Sequence, residues 1–454
     1  MPFLPLVFTL TSCLTLSETF SVGPGQSLAT ISQVPWEALR AGDVVRIHWR
    51  SEPYREKWVI SVSATSQQPL RVVGVPGPDG ELPLILGDEA STRASLDFWN
   101  EDRGVIKIGG ASHAPGIVPK YVILENLDIR SARPAYSFSG QRGRQSYRRD
   151  AAAVYIETGE NITIRNCRLS DCGNGIFANG RTVLVESCRI EGNGIAESFT
   201  EHNAYCAADG IVFQFNYFGR LREACAGNNL KDRSAGTVVR YNWFEGGSRQ
   251  LDFVDAEDHE GRLVARPSYR ETLVYGNVLV EGENDFRSEV VHYGGDGVRR
   301  EWYRRGTLYF YHNTVVSKRA DITTLFRLSS DLEVADVRNN IFYLDDPRGR
   351  LALALEWGTF RLNGNWISRG WAKSGRLLFF GTLVQEGGWT DTDPGFVDAT
   401  AANYRIDPNK AIALPATDLS PAVRDRFPVE FEPVSPFSRQ PVPRARRRTI
   451  GAFE

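Results

Sequence analysis

The chain has 454 residues, 42% hydrophobic and 24% charged, which excludes a disordered or collagen-like polypeptide and supplies material for a large core. With 53 basic and 55 acidic residues the formal charge is −2, so net charge points to neither nucleic acid nor an anionic membrane, and any anionic ligand must meet a local patch. Six cysteines in so long a chain, with no Cys-x-x-Cys pair, argue against a disulfide scaffold and against structural zinc.

In chain order, residues 3–17 form the one uninterrupted apolar-leaning stretch, too short to span a bilayer but suited to a secretory segment. Leu10-Thr11-Ser12-Cys13 has the form of a lipoprotein cleavage box. Residues 1–20 are therefore expected to direct export and to leave a lipid on Cys13 as the only membrane attachment, a buried N-terminal strand being the alternative. The protein is then secreted, periplasmic or on the outer surface. Ile31 to Leu39 predicts a short amphipathic helix that caps the N-terminal end of the fold.

A repeat then begins: apolar-x-apolar, a polar residue, Asn, and one or two apolar residues. Its landmark positions are Asn126, Asn166, Ser187, Asn216, Asn242, Asn277, Asn313, Asn340 and Asn365, with spacings of 40, 21, 29, 26, 35, 36, 27 and 25 residues. The units are rich in β-branched and aromatic residues, alternate with period two, and have no helical pattern between them. Short strands that cannot bury a face alone are stabilised by stacking on their neighbours about 4.8 Å away, as in an all-β solenoid, a parallel β-helix made by one chain. The recurrent Asn suits turns, where its amide pairs with the coil above and tolerates a left-handed backbone. An antiparallel sandwich or propeller is the rival, although Asn-Gly hairpin signals are mostly crowded into about twenty residues. The solenoid is expected over 21–410 and an irregular capping tail, Pro-rich and then basic, over 411–454.

Gly42 to Ile47, the Asn-bearing coils, Asp393 to Asp398 and the closing Ile450 to Glu454 together resemble the right-handed parallel β-helix proteins of bacteria. Many of these degrade polysaccharides. The resemblance implies the fold, and it extends to the β-helix polysaccharide lyases of the alginate lyase and chondroitinase B type.

In a stack of coils, corresponding residues line one face. Asn174 to Ala178, Glu201 to Tyr205, Asn228 to Arg233, Arg249 to Asp255 and Glu289 to Tyr293 fall into register, and the last four concentrate ionisable groups. With Leu230 inward, Lys231 and Arg233 share the outer face about 6–7 Å apart. With Leu251 and Phe253 inward, Asp252 lies one strand spacing from Lys231. Lysine is scarce, seven against forty-six arginines, which makes Lys231 conspicuous.

β-Elimination from a uronate needs the carboxylate neutralised, the adjacent proton removed and the leaving oxygen protonated. The expected catalytic residues are Lys231, Arg233, Asp252 and His202, and the expected substrate contacts are Asn203, Asn229, Arg249, His292 and Tyr293. The resemblance implies a Lys base and an Arg flanking a calcium-held carboxylate. Here Asn228 and Asn229 stand where acidic calcium ligands are expected, and Asp252, with Arg249 and Arg233 nearby, stands where the Arg is expected. Calcium is thus an open expectation, with Asn228, Asn229 and Asp255 as candidate ligands. Two alternatives remain: a glycoside hydrolase using Asp252, Asp255 and Asp258, and a glycan-binding or structural rod whose charges form a solvated ladder. The expected partner is an acidic polysaccharide met by a monomer, with no nucleic acid. Trp243, Tyr217 and Phe244 read as stacked core, His312 as turn structure, and Cys167 with Cys188 as either a bonded pair or stacked thiols.

Overall fold

A computed structural model describes residues 17–283, 285–410, 414–433, 442–444 and 449–454. Cys13 and the apolar segment around it lie outside the described residues, as do 411–413, 434–441 and 445–448 of the expected tail.

Each coil contributes three strands. One runs through Arg181–Glu186, Arg189–Glu191 and Ala204–Cys206 before the next begins at Asp209. Equivalent strands pair in parallel, Arg181 with Asp209, Arg189 with Tyr217 and Ala204 with Leu230. Among the described residues this gives a first sheet of 13 strands, a second of 14 and a third of 11. Among the described residues, antiparallel ladders occur only in hairpins at Ser137–Ser146 and Phe396–Ile406 and in the pairing of Phe431–Glu432 with Val442–Pro443. The architecture is a parallel β-helix, not the sandwich or propeller. Period-two alternation explains the core: Val183 and Val185, then Ile211 and Phe213, turn inward from the first sheet and join one continuous cluster along the stack.

The Asn landmarks separate into two rows one residue apart. Strand register aligns Asn126, Asn166, Ser187, Phe215, Tyr241, Gly276, His312, Asn339 and Gly364, all with positive φ between 49° and 62° or, for Gly276, 64°. These residues make the left-handed bend between first and third sheets. The next row is Leu127, Cys167, Cys188, Asn216, Asn242, Asn277, Asn313, Asn340 and Asn365. From Asn216 onward each carboxamide bonds the next: Asn242 Nδ2 donates to Asn277 Oδ1, and Asn277 Nδ2 to Asn313 Oδ1, both at 3.0 Å. Each also donates to backbone carbonyls, Asn277 to Val239 and Tyr275 at 2.9 and 3.0 Å. The thiols of Cys167 and Cys188 occupy this row and meet the carbonyls of Arg165 and Glu186 at 3.2 and 3.3 Å. They are free and buried. The single landmark therefore merges two positions: the first three mark the bend, the later ones the amide row.

The expected capping helix over Ile31–Leu39 is absent; only a 3-10 turn, Ile31–Gln33, forms. Pro35 removes a backbone donor and disfavours helical geometry at Val34, whose ψ is 130°. Ile31, Val34, Trp36 and Leu39 are nevertheless buried, with Trp36 stacked on Trp58 at 5.2 Å. At the other end the chain folds back along the flank: Tyr404 stacks on Trp243 at 5.7 Å, and Leu414, Ile450 and Ala452 join the same buried cluster. Trp243 and Phe244 are buried, Phe244 stacking on Phe218 at 4.5 Å.

Candidate functional site

The second sheet carries a row of outward residues set by strand register: Lys107, Tyr155, Phe177, Tyr205, Lys231, Asp252, His292 and Arg327. After Lys107 come three aromatic residues, with Phe177 and Tyr205 stacked at 4.7 Å, and the second half is ionic. Over the middle of the row lies a cavity of about 700 Å³ lined by His202, Tyr205, Lys231, Arg233, Asp258 and Asp296, together with Phe177, Phe199 and Glu201. That volume is in the range of small-ligand sites. Phe199 is 73% exposed, an aromatic face suited to a sugar ring.

Lys231 is the hub. Its Nζ lies 3.0 Å from Asp252 Oδ2 and 2.5 Å from Asp296 Oδ2, with the side chain 12% exposed. Asp252 sits beneath it, fully buried, and accepts from His292 Nδ1 at 2.6 Å and Asn228 Nδ2 at 2.8 Å. Burial raises the pKa of Asp252, but Lys231, His292 and Arg249 outweigh that and hold the carboxyl well below the usual range. His292 Nε2 meets Ser329 Oγ at 2.9 Å, and Gly295 N–H donates to the same oxygen at 2.9 Å. Asp296 is held on the other side, where Asp255 Oδ1 accepts from the backbone N–H of Asp296 and Gly297 at 2.8 and 3.1 Å. The loop is closed by Arg304, whose guanidinium bonds Asp232 Oδ2 at 2.9 Å in the interior.

Arg233 lies beside Lys231. It pairs with Asp296 Oδ1 at 3.1 Å, donates from Nε to Tyr205 Oη at 3.0 Å and reaches the Asp255 carbonyl at 2.8 Å. Tyr205 in turn donates to Asp258 Oδ1 at 3.0 Å. Burial, then Asp258, keep this phenol protonated well above its ordinary pKa. His202 accepts at Nδ1 from the backbone N–H of Asn228 at 2.9 Å. Burial, then the charge of Lys231, lower its pKa to about 3. Its neutral ring therefore carries the proton on Nε2 and acts as a donor, not a base.

Lys231, Arg233 and His202 meet in the cavity, whereas other expected residues do not reach it. Asp252 is beneath the surface and acts only through Lys231. His292 points outward as alternation requires but is covered by Ser329 and the Gly294–Gly297 loop, so it does not line the cavity. Tyr293 alternates into the core and is fully buried. Arg249 is buried behind Asp252, its Nη1 at 3.5 Å from Asp252 Oδ1. Asn203 and Asn229 belong to a second interior amide row, Asn193 donating to Asn203 and Asn203 to Asn229 at 3.0 and 2.5 Å. Their polar atoms are consumed there.

Two of the three expected calcium ligands are committed to other partners. Asn228 spends its Oδ1 on Arg249 N–H at 3.1 Å and its amide on Asp252, and Asn229 is interior. Asp255 does join Glu257 and Asp296 in a group whose carboxylate oxygens approach within 4.8 Å of one another. The Arg233 guanidinium lies 3.6, 3.3 and 3.1 Å from those three residues, so a fixed positive charge already serves them.

Sequence reasoning missed Asp296, Tyr205, Phe177 and Phe199. Tyr205 was accessible, because Ala204 inward places it outward one coil before Lys231. Asp296 had a weaker signal, the Gly294-Gly295-Asp296-Gly297 cluster after a site strand.

A family model described as a right handed beta helix region matches residues 119–259, a span that includes most of these strands. No curated protein matches the chain in sequence. Among solved structures, an alginate lyase from Paenibacillus sp. str. FPU-7 is similar at 13% identity and TM-score 0.45, over 74% of this chain and 97% of that one. A lacto-N-biosidase from Eubacterium ramulus is similar at 11% identity and TM-score 0.48, over 83% and 68%. A PL6 family polysaccharide lyase from Pseudopedobacter saltans is similar at 11% identity and TM-score 0.41, over 83% and 94%.

Proposed function

We propose that the chain is a polysaccharide lyase that cleaves an acidic, uronate-containing glycan by β-elimination. The observation that carries this reading is the Lys231–Arg233 pair, side by side in one cavity and bridged by Asp296, with two neutral proton donors and aromatic residues around it. Asp296, 33% exposed at its side chain, is the partner that an incoming uronate carboxylate displaces from Arg233. Lys231 acts in its amine form, its proton released to solvent through the open cavity, and faces the sugar. That amine takes the proton beside the carboxylate, the electron pair forms the new C=C bond, the C–O bond breaks, and Tyr205 Oη–H or His202 Nε2–H supplies the leaving oxygen with a proton. Asp252, braced by His292 and Asn228, fixes the position of Lys231. Calcium has no role in this scheme. Export through the 1–20 segment would bring the enzyme, acting as a monomer, to its substrate.

Hydrolysis is the second reading. It is favoured by Glu201, Asp258 and Asp296 lining the same cavity, with Glu201 Oε2 buried and without a hydrogen-bond partner.

The test is incubation with alginate, glycosaminoglycans and pectins, with and without chelator, while following the ultraviolet absorbance of an unsaturated uronate. The lyase reading expects a rise that chelator leaves intact and that Lys231→Ala and Lys231→Arg both remove. New reducing ends without absorbance would transfer the assignment to hydrolysis, and silence in both assays would reject an enzyme acting on these glycans.

A further inference from the structure

A second cavity of about 720 Å³ lies where the second sheet turns into the first, and it shares Asn179 with the cavity above Lys231. We infer that it binds the continuation of the same chain, so that the protein holds an anionic oligosaccharide across both cavities; this rests on the lyase reading.

The turn between the strands Asn174–Ala178 and Arg181–Glu186 joins the two cavities. Phe177 lines the first cavity, Asn179 both and Arg181 the second. The path from Phe177 to Arg181 spans at most about 13 Å, a distance a short oligosaccharide bridges. Asn179 Oδ1 at the junction is buried with no hydrogen-bond partner, an acceptor placed for a sugar hydroxyl.

Charge sets the ligand class. Lys120, Arg181, Arg262 and Arg266 line the second cavity against Glu160 and Asp209. Lys120 and Arg181 share Glu160 at 3.2 and 2.5 Å, and Arg266 takes Asp209 at 2.8 Å. Arg262 donates only to the His259 carbonyl, at 3.1 Å. Two positive charges are thus left over, which suits carboxylated or sulfated sugar residues. The wall is the segment after the strand Leu251–Phe253, held in place where Asp258 accepts from Tyr205 and His259 Nε2 meets Ala207 O at 2.5 Å. Its two adjacent residues face different cavities, Asp258 the first and His259 the second.

The experiment measures binding apart from turnover. Disaccharides and octasaccharides of alginate and chondroitin sulfate, with neutral dextran oligomers as control, are titrated calorimetrically into Lys231→Arg protein. The titration is repeated in that background with Arg262→Ser/Arg266→Ser, and separately with Ala265→Trp, which obstructs the cavity without removing charge. Two solvated charge contacts predict about a fivefold loss of octasaccharide affinity in the double variant, with disaccharide affinity unchanged. Ala265→Trp is expected to give the same length-dependent loss. Octasaccharide binding that both variants leave intact would overturn the extended site alone. Absence of acidic-glycan binding by the Lys231→Arg protein and by the wild type would remove the lyase reading along with it.

Discussion

Two rows run along this β-helix and are built on opposite rules. The interior amide row from Asn216 to Asn365 repeats one residue coil after coil, each carboxamide donating to its neighbour and to backbone carbonyls. The outer row from Tyr155 to Arg327 is mixed: three aromatic residues are followed by cationic, anionic, imidazole and guanidinium groups at the same height. A repeated residue satisfies a need that every coil shares, here the backbone groups at a bend. A row whose chemistry changes along the stack serves one place in the molecule, and the cavity lies where the aromatic residues give way to ionic ones.

The sharpest way to test this contrast is to remove chemistry while keeping charge. Lys231→Arg retains a cation for Asp252 and Asp296 but cannot serve as the base, so turnover is expected to fall about 10²–10⁴-fold, while urea denaturation stays near wild type. The converse substitution in the amide row is Asn277→Ala. It strips partners from Asn242 and Asn313 and is expected to cost about 3 kcal/mol in urea denaturation, with the rate per folded molecule unchanged.

Acid acts on the groups around Lys231 and not on the amide row, which has nothing to titrate. His202 has a folded pKa of about 3, below the 6.5 of an exposed imidazole. The unfolded chain therefore binds this proton first, and stability falls as pH drops from 6.5 toward 3, by up to about 1.4 kcal/mol per unit. Asp252, depressed well below its ordinary value, contributes stability that is present above about pH 4 and lost only below it. His202→Gln is expected to flatten the upper part of that curve in thermal unfolding from pH 7 to 4, and an unchanged slope would show that the imidazole is not held neutral. The smallest effect belongs to the bend. Ser187 has φ of 55°, so Ser187→Gly relieves left-handed strain and is expected to stabilise by less than about 1 kcal/mol in calorimetry.

Legibility in the sequence followed the regularity of the backbone. Within strands, alternation gave the correct facing for Leu230, Lys231, Leu251, Asp252 and Phe253, and the adjacency of Lys231 to Asp252, because a buried face leaves a strand one register. At strand ends the argument weakened. Asn203 precedes Ala204 and should face outward, yet the bent backbone turns it inward to Asn193 and Asn229. The amide and left-handed rows merged for the same reason, since a bend displaces neighbouring residues by direction rather than by period.

The sequence by itself determined the stacking of short parallel strands and the ionic row on one face, because both follow from local alternation repeated many times. Only the tertiary structure decided which members of that row line the cavity. His292 is closed off and Asp296 is brought to Lys231 by a loop that ends at Arg304, whose ion pair with Asp232 joins residues 72 apart in the chain. Such a contact depends on the path of an insertion, and a loop path is set by whatever distant partner satisfies its buried charge, not by any periodicity within it.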